Sequence, residues 1–296
     1  MTKKNEKITY DAVICGGEPA LVFDAADYDL AKTFDCGQCF RFLPIASPYE
    51  CAFAGVAYGR YVRFAKDGAR LLVLGAEESD AALWAHYLAL DADYGEIRDG
   101  LSARLGENPV FAKALDLAGG IRILRQERFE TLCTFILSQN NNIPRIRLLV
   151  ERLCDACGAP VKTPHGVFRA FPTPERLTSL SVSTLRNMKL GYRARYIADA
   201  ATAAASGALD LDSLTPETAR QALLSINGVG EKVAACVRLF GVGDLAACPV
   251  DVWIRRAADA YFDGKLEPLL TEKYGGVAQQ YLFYYERYTA SQKHSS

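Results

Sequence analysis

Residues Leu223–Val252 read LLSINGVGEKVAACVRLFGVGDLAACPVDV, and this stretch decides the fold of the second half of the chain. Two helical patterns meet at Ile226-Asn227-Gly228-Val229-Gly230. In the second, Val233, Cys236, Val237 and Phe240 recur at i, i+3, i+4 and i+7, which gives one apolar face. Gly228 and Gly230 flank a single apolar residue, so the turn can be tight and its bare N–H groups can approach a ligand closely. Those groups stand at a helix N-terminus, where aligned peptide dipoles favour an anion such as a phosphate. Lys232 then follows in the opening turn, where a cation opposes the dipole at a cost of about 0.3–1 kcal/mol. The plain reading is a solvated surface lysine. The chemical reading is an amine whose neutral form is favoured, and a neutral lysine is a nucleophile that forms Schiff bases with carbonyl carbons.

Nineteen residues after Lys232, Pro249-Val250-Asp251 opens another helical pattern through Ile254, Ala257, Ala258 and Tyr261. From spacing alone Asp251 is an N-cap, a role aspartate fills well. A capping carboxylate can still turn its second oxygen toward a neighbouring site. Taken together, the hairpin, Gly-Val-Gly-x-Lys and Pro-Val-Asp resemble the helix-hairpin-helix family of DNA glycosylases. The lysine marks the bifunctional branch, which excises a base and then cleaves the strand. The resemblance makes Lys232 the expected nucleophile, Asp251 its carboxylate partner, and Gly228 and Gly230 the backbone contacts to DNA.

A chain of 296 residues, 50% of them hydrophobic, has room for two domains with substantial cores. It contains no apolar run long enough for a membrane span. Met1–Lys7 is basic without a following apolar region, so no signal peptide is expected. Nine cysteines, an odd number, fit a reducing intracellular compartment better than a disulfide framework. Cys36-Gly-Gln-Cys39 and Cys154-Asp-Ala-Cys157 raise the question of zinc. Against it, the pairs are far apart, and Cys154 and Cys157 continue the apolar stripe of Ile146, Leu149, Val150 and Leu153. No metal ligand set is expected.

Charge is uneven: residues 1–118 hold 12 Lys and Arg against 18 Asp and Glu, and the remainder holds 22 against 17. Arg186, Lys189, Arg193 and Arg195 form an acid-free run that suits phosphate, or simply a solvated helix face. Tyr10–Cys15, Cys39–Leu43, Glu50–Ala57, Arg60–Ala65 and Arg70–Leu74 read as strands. From Ser79 the period becomes helical, with Ala81, Trp84, Ala85 and Leu88 on one face, and past Gly119-Gly120 everything reads as helix. The expected class is α+β. Residues 1–118 form an antiparallel sheet domain with one or two helices, residues 119–296 form a helical domain, and Ser291–Ser296 is a frayed tail.

Other segments, from about Phe34 to Glu286, resemble the 8-oxoguanine glycosylase branch of that family, whose substrate is duplex DNA containing oxidised guanine. Such an enzyme must extrude the base and fill the vacancy. In Ser138-Gln-Asn-Asn-Asn142 the plain reading is a polar turn; the resemblance assigns Asn140 to the vacated position and Arg145 to the orphaned cytosine. Leu190-Gly-Tyr-Arg-Ala-Arg195 supplies Tyr192 as a wedge and Arg193 as a second cytosine contact. Oxidised guanine carries an N–H at N7 where guanine has a lone pair, so a fixed acceptor there discriminates strongly. The segment Phe34-Asp-Cys-Gly37-Gln-Cys-Phe-Arg41 resembles the one whose glycine carbonyl does this, implying Gly37. The resemblance also places Cys236 on one face of the base, Phe283 in stacking, and Gln279 at the Watson–Crick edge.

No cofactor is required by such a reaction, although a structural cation at the hairpin carbonyls is compatible with it. The expected setting is intracellular and DNA-associated, with the chain acting as a monomer away from membranes. Two positions depart from the family pattern: Trp253 stands where many relatives have histidine, and Glu286 where they have aspartate. Two other functions remain open at this point. A sister glycosylase for another damaged base would keep Lys232 and Asp251 but change the pocket, and a non-catalytic hairpin module would bind phosphate without chemistry.

Overall fold

A computed structural model describes residues 8–295, with side chains through residue 292; Met1–Lys7, on which the leader was judged, and Ser296 lie outside them. The strands of the first half are β1 (Tyr10–Cys15), β2 (Glu18–Asp24), β3 (Leu43–Pro44), β4 (Cys51–Ala57), β5 (Arg60–Asp67) and β6 (Arg70–Leu74). They form one antiparallel sheet in the order β1-β2-β6-β5-β4-β3. Alternation puts Leu21 and Phe23 of β2, Phe53 of β4, Val62 and Phe64 of β5, and Leu71 and Val73 of β6 in one buried cluster. Phe34 from the helix Leu30–Asp35 stacks on Phe53 at 5.3 Å. Trp84 and Tyr87 from the helix Ala81–Tyr87 meet Phe64 at 5.6 and 5.8 Å. Each such ring contributes about 1.5–3 kcal/mol by leaving water.

The second half is helical and organised on Arg128–Leu137, in which every residue from Thr131 to Leu137 is buried. Around it pack Ile143–Cys157, Arg193–Ala205 and Glu231–Val237, while the last helix, Gly275–Ser295, joins the same core against Pro109–Leu117. Tyr94–Leu105 and Pro109–Leu117 send Ile97, Leu101, Phe111 and Leu115 into this same core rather than into the sheet's. Cys154 and Cys157 are buried free thiols of that core, and burial pushes the Cys154 thiol up to about 12. The class is α+β, an antiparallel sheet followed by helices.

Five local expectations need correction. Among the described residues, those up to 118 hold four α-helices rather than one or two, because Tyr94–Leu105 and Pro109–Leu117, which pack into the helical core, already lie within them. Cys39–Leu43 is not a strand, since only Leu43–Pro44 pairs, with Phe53 and Ala54. Its residues are apolar on both sides because the segment passes between two cores: Phe40 belongs to the helical one, Cys39 and Phe42 to the sheet. The strand β2 escaped notice because it begins Glu18-Pro19 and ends in Asp24, yet it lies between β1 and β6. Within the helical half stands a hairpin, β7 (Pro160–Thr163) and β8 (Gly166–Arg169). It leans on the sheet, with Phe168 stacked on Tyr61 at 4.2 Å and His165 Nε2 3.0 Å from the Glu18 carboxylate. Finally, the last helix continues through Ser295, so the expected tail is helical up to that point.

Candidate active site

Helices Pro216–Leu224 and Glu231–Val237 form the hairpin, and Val233, Cys236, Val237 and Phe240 are buried on its inner face. Gly228 takes φ 84°, and a Cβ there would lie 2.1 Å from Tyr196 Cγ, so only glycine fits. Gly230 differs: its backbone is extended, it caps the second helix, and a Cβ there would meet nothing within 4 Å. The folded chain itself does not demand glycine at that position. Beyond Val237 the helix widens into a π turn, Arg238–Val242, and stops at Gly243 with φ 83°.

A cavity of about 750 Å³ opens between this helix, the asparagine turn, the Gly37 loop and the last helix. Lys232, Asp251, Cys236, Gly37, Asn140, Gln279 and Phe283 all line it. Lys232 Nζ donates to Ser138 Oγ at 3.0 Å and lies 5.3 Å from the centre of the Phe135 ring. Asp251 caps the helix Val252–Tyr261, its Oδ1 accepting from Ile254 N at 2.9 Å. The amine and the carboxylate border the same space without an ion pair between them. Burial pushes the Cys236 thiol up to about 11 although Lys232 pulls it down, and burial with the nearby Asp251 charge pushes Cys248 up to about 12. Both thiols therefore stay protonated near neutral pH and are not the nucleophile.

Two acceptors at the cavity are unpaired. Gln279 is buried, and its Oε1 has no hydrogen-bond partner, a condition that costs about 1–3 kcal/mol until a donor arrives. Gly37 takes φ 79°, and a Cβ there would press within 3.4 Å of Phe283 Cε1 and 3.6 Å of Ile143 Cδ1. Among the described residues nothing donates to its carbonyl, whereas those of Asp35, Cys36 and Gln38 all accept a hydrogen bond.

The asparagine turn divides its labour. Asn142 caps Ile143–Cys157 by accepting from Arg145 N at 3.0 Å. Asn141 Nδ2 donates to Leu137 O at 2.9 Å and closes the preceding helix. Asn140 is exposed and left-handed at φ 46°, and among the described residues its side chain bonds to nothing. Gln139 Nε2 reaches across to Gly228 O at 3.0 Å, joining the turn to the hairpin.

Arg145 is exposed at the rim, and Tyr192 is 47% exposed with its hydroxyl donating to Gln139 O at 3.2 Å. Arg193 is the exception among the residues expected to meet DNA. It is 6% exposed, and its guanidinium donates to the carbonyls of Gln139 (Nε, 2.8 Å), Asn140 (Nη2, 3.0 Å) and Leu190 (Nη1, 3.5 Å). In this conformation it holds the turn instead of reaching outward. Of the basic run, Arg186 and Lys189 are exposed, while Arg195 pairs with Asp199 at 2.9 Å.

The two departures are also placed. Trp253 lines the cavity, with the Arg256 guanidinium 5.8 Å from its ring centre. Glu286 turns to Tyr261, whose phenol is pushed up to about 12 by burial and by that hydrogen bond. Ser138, Phe135, Gln139 and Gln280 were not anticipated from sequence. Ser138 and Gln139 stood inside a quoted motif, but nothing local tells that a serine meets a lysine 94 positions away.

Residues 20–132 match the model for the 8-oxoguanine DNA glycosylase N-terminal domain, and residues 133–268 match the HhH-GPD superfamily base excision DNA repair proteins. The chain belongs to the 8-oxoguanine DNA glycosylase family. The solved structure of MBOgg1 in complex with a low-affinity DNA ligand is 36% identical, with TM-score 0.85 over 95% of this chain and 99% of that one. The Clostridium acetobutylicum 8-oxoguanine glycosylase/lyase, in complex with double-stranded DNA containing cytosine opposite 8-oxoG, is 30% identical. Its TM-score is 0.86 over 95% of this chain and 98% of that one. The Arabidopsis thaliana N-glycosylase/DNA lyase OGG1 is 33% identical over 73% of this chain and 57% of that protein. The chain spans about half the length of the curated relatives it matches, 41% and 57% for the Saccharomyces cerevisiae and Arabidopsis proteins.

Proposed function

We propose that this chain is a bifunctional repair enzyme that extrudes 8-oxoguanine from duplex DNA, excises it, and then cleaves the strand. The observation that carries this reading is one cavity bordered by a primary amine, a carboxylate and two unpaired acceptors. 8-Oxoguanine offers N–H donors at N7 and along its Watson–Crick edge, the complement of the Gly37 carbonyl and Gln279 Oε1. Guanine lacks the first of these donors, so its N7 lone pair would oppose the Gly37 oxygen, and opposed buried acceptors are strongly disfavoured. Phe283 supplies a stacking face.

Lys232 attacks C1′ while the bond to N9 breaks, the bonding pair leaving with the base, which takes up a proton. Ionised Asp251 stabilises positive charge on the sugar during this step, an electrostatic role. Because the carboxylate and the amine are not paired, Asp251 acts on the sugar rather than as a direct acceptor of the lysine's proton. The lysine–sugar adduct opens to a Schiff base, C2′ loses a proton, and the 3′ phosphate leaves by β-elimination. Asn140 fills the vacated position, Tyr192 wedges the stack, and Arg145 faces cytosine, which favours excision opposite that base. Gly230, where the chain itself leaves open space, lets the hairpin backbone approach a phosphate. The enzyme acts as a monomer and uses no redox or metal cofactor in the chemistry. No described helix is long and apolar enough to cross a membrane.

Borohydride should trap wild-type protein covalently on 8-oxoguanine DNA, and Lys232→Gln should lose both trapping and excision. Trapping by that variant at the wild-type rate would remove the assignment.

A further inference from the structure

The carbonyls flanking Gly37 are claimed by side chains that come from distant parts of the chain. Gln280 Nε2 donates to Cys36 O at 2.7 Å, Arg287 Nη1 to Asp35 O at 2.7 Å, and Gln126 Nε2 to Gln38 O at 2.8 Å. Gln38 itself is fully buried, donating to Thr33 O at 2.9 Å and Arg122 O at 2.8 Å while accepting from Leu124 N at 2.8 Å. Among the described residues nothing donates to the Gly37 carbonyl. Of the four consecutive carbonyls from Asp35 to Gln38, three are fixed and one is left over at the cavity.

We infer that Gln280 is a specificity-determining positioning residue, which sets where the free Gly37 carbonyl stands relative to Gln279. The inference rests on the reading of the site as an 8-oxoguanine pocket and deepens it. Gln279 and Gln280 are neighbours on the last helix, and both are buried, at 4% and 3% exposure. One presents its unpaired oxygen at the cavity; the other donates to the peptide oxygen immediately before Gly37. The two acceptors that would read opposite edges of one base are thereby tied to a single rigid backbone. A bond of 2.7 Å between buried partners leaves little freedom, and a displacement of the Gly37 oxygen by a fraction of an ångström would weaken its contact with N7–H. Arg287, two turns further along the same helix, adds a second tether from the half-buried side.

The decisive variant is Gln280→Met, which keeps the volume and removes the donor. Single-turnover excision of 8-oxoguanine opposite cytosine is compared with cleavage of a preformed abasic strand, which has no base to read. The excision rate should fall by roughly tenfold or more relative to abasic cleavage, the loss expected when a buried acceptor is left unpaired. A structural defect would lower both rates in proportion, and an unchanged ratio in folded protein overturns the inference. Should Gln280→Met fail to fold, Arg287→Met at the more exposed tether must show the same shift in ratio to a smaller extent, and no shift there overturns it as well. Wild-type protein that leaves 8-oxoguanine untouched would instead sink the functional reading, so the two failures are told apart.

Discussion

The Gly37 loop and the asparagine turn border the same cavity, yet they are held in opposite ways. In the loop, side chains from elsewhere grip the peptide oxygens on either side of Gly37 and leave a main-chain acceptor at the surface. In the turn, Arg193 grips the peptide oxygens of Gln139 and Asn140, and it is the Asn140 side chain that stays uncommitted. A loop that reads a base with its backbone must have that backbone immobilised. A turn that fills a hole with a side chain must fix its backbone so that only the side chain moves. Both arrangements leave one polar group uncommitted within the described residues: a main-chain oxygen in the loop, and in the turn an exposed amide that water can satisfy.

The largest effect should come from breaking the loop at its centre. Gly37→Ala places a Cβ at a left-handed φ against Phe283, and single-turnover 8-oxoguanine excision should drop by about a hundredfold, with abasic cleavage falling less. Equal losses in both assays would mean that the loop supports the fold and not the base.

The turn is tested next by contrasting its two arginines. Arg193→Ala strips donors from the carbonyls of Gln139, Asn140 and Leu190 and should slow excision roughly tenfold opposite every base. Arg145→Ala, at an exposed rim position, should leave the rate opposite cytosine within a few-fold while eroding the preference over adenine. If Arg193→Ala instead erodes base preference, it swings out to meet cytosine when DNA binds.

The smallest effect concerns the wall behind the loop, where Arg41 donates to Glu130 at 3.3 Å. Burial outweighs the arginine and raises the Glu130 carboxyl to about 7. The folded state thus binds this proton more tightly than the unfolded chain does. The resulting stability is complete below the ordinary carboxylate range and disappears as pH rises through about 7. Measured against Glu130→Gln, the wild-type melting temperature should decline by a few degrees between roughly pH 5 and pH 8. Parallel melting curves for the two proteins across that range would refute it.

Much of the chemistry was legible because it is encoded over short spacings. Glycines two apart, a lysine in the next turn and a proline before a capping aspartate are local signals, and Lys232 and Asp251 border one cavity. The capping reading of Asp251 and the polar-turn reading of the asparagines both hold in the fold. Asn141 and Asn142 do the structural work, and Asn140 is left over. What stayed hidden depends on contacts between distant residues. Gln280 meets Cys36 from 244 positions away, and no periodicity announces it. The resemblance places Arg193 at the orphaned cytosine, whereas the carbonyls that hold its guanidinium in this structure are not visible in sequence. The errors in the sheet have the same root. Cys39, Phe40 and Phe42 are apolar because two cores share them, and β2 hides an inner strand behind a leading proline.

The cap on the helix Val252–Tyr261 has a consequence for the order of events on DNA. With one oxygen bonded to Ile254 N, the Asp251 carboxylate cannot rotate to follow its target without uncapping a helix. On the proposed mechanism, the deoxyribose is carried to a stationary charge. Timing therefore rests with how readily the duplex distorts, so lesions in easily bent sequence should be processed ahead of identical lesions in stiff tracts.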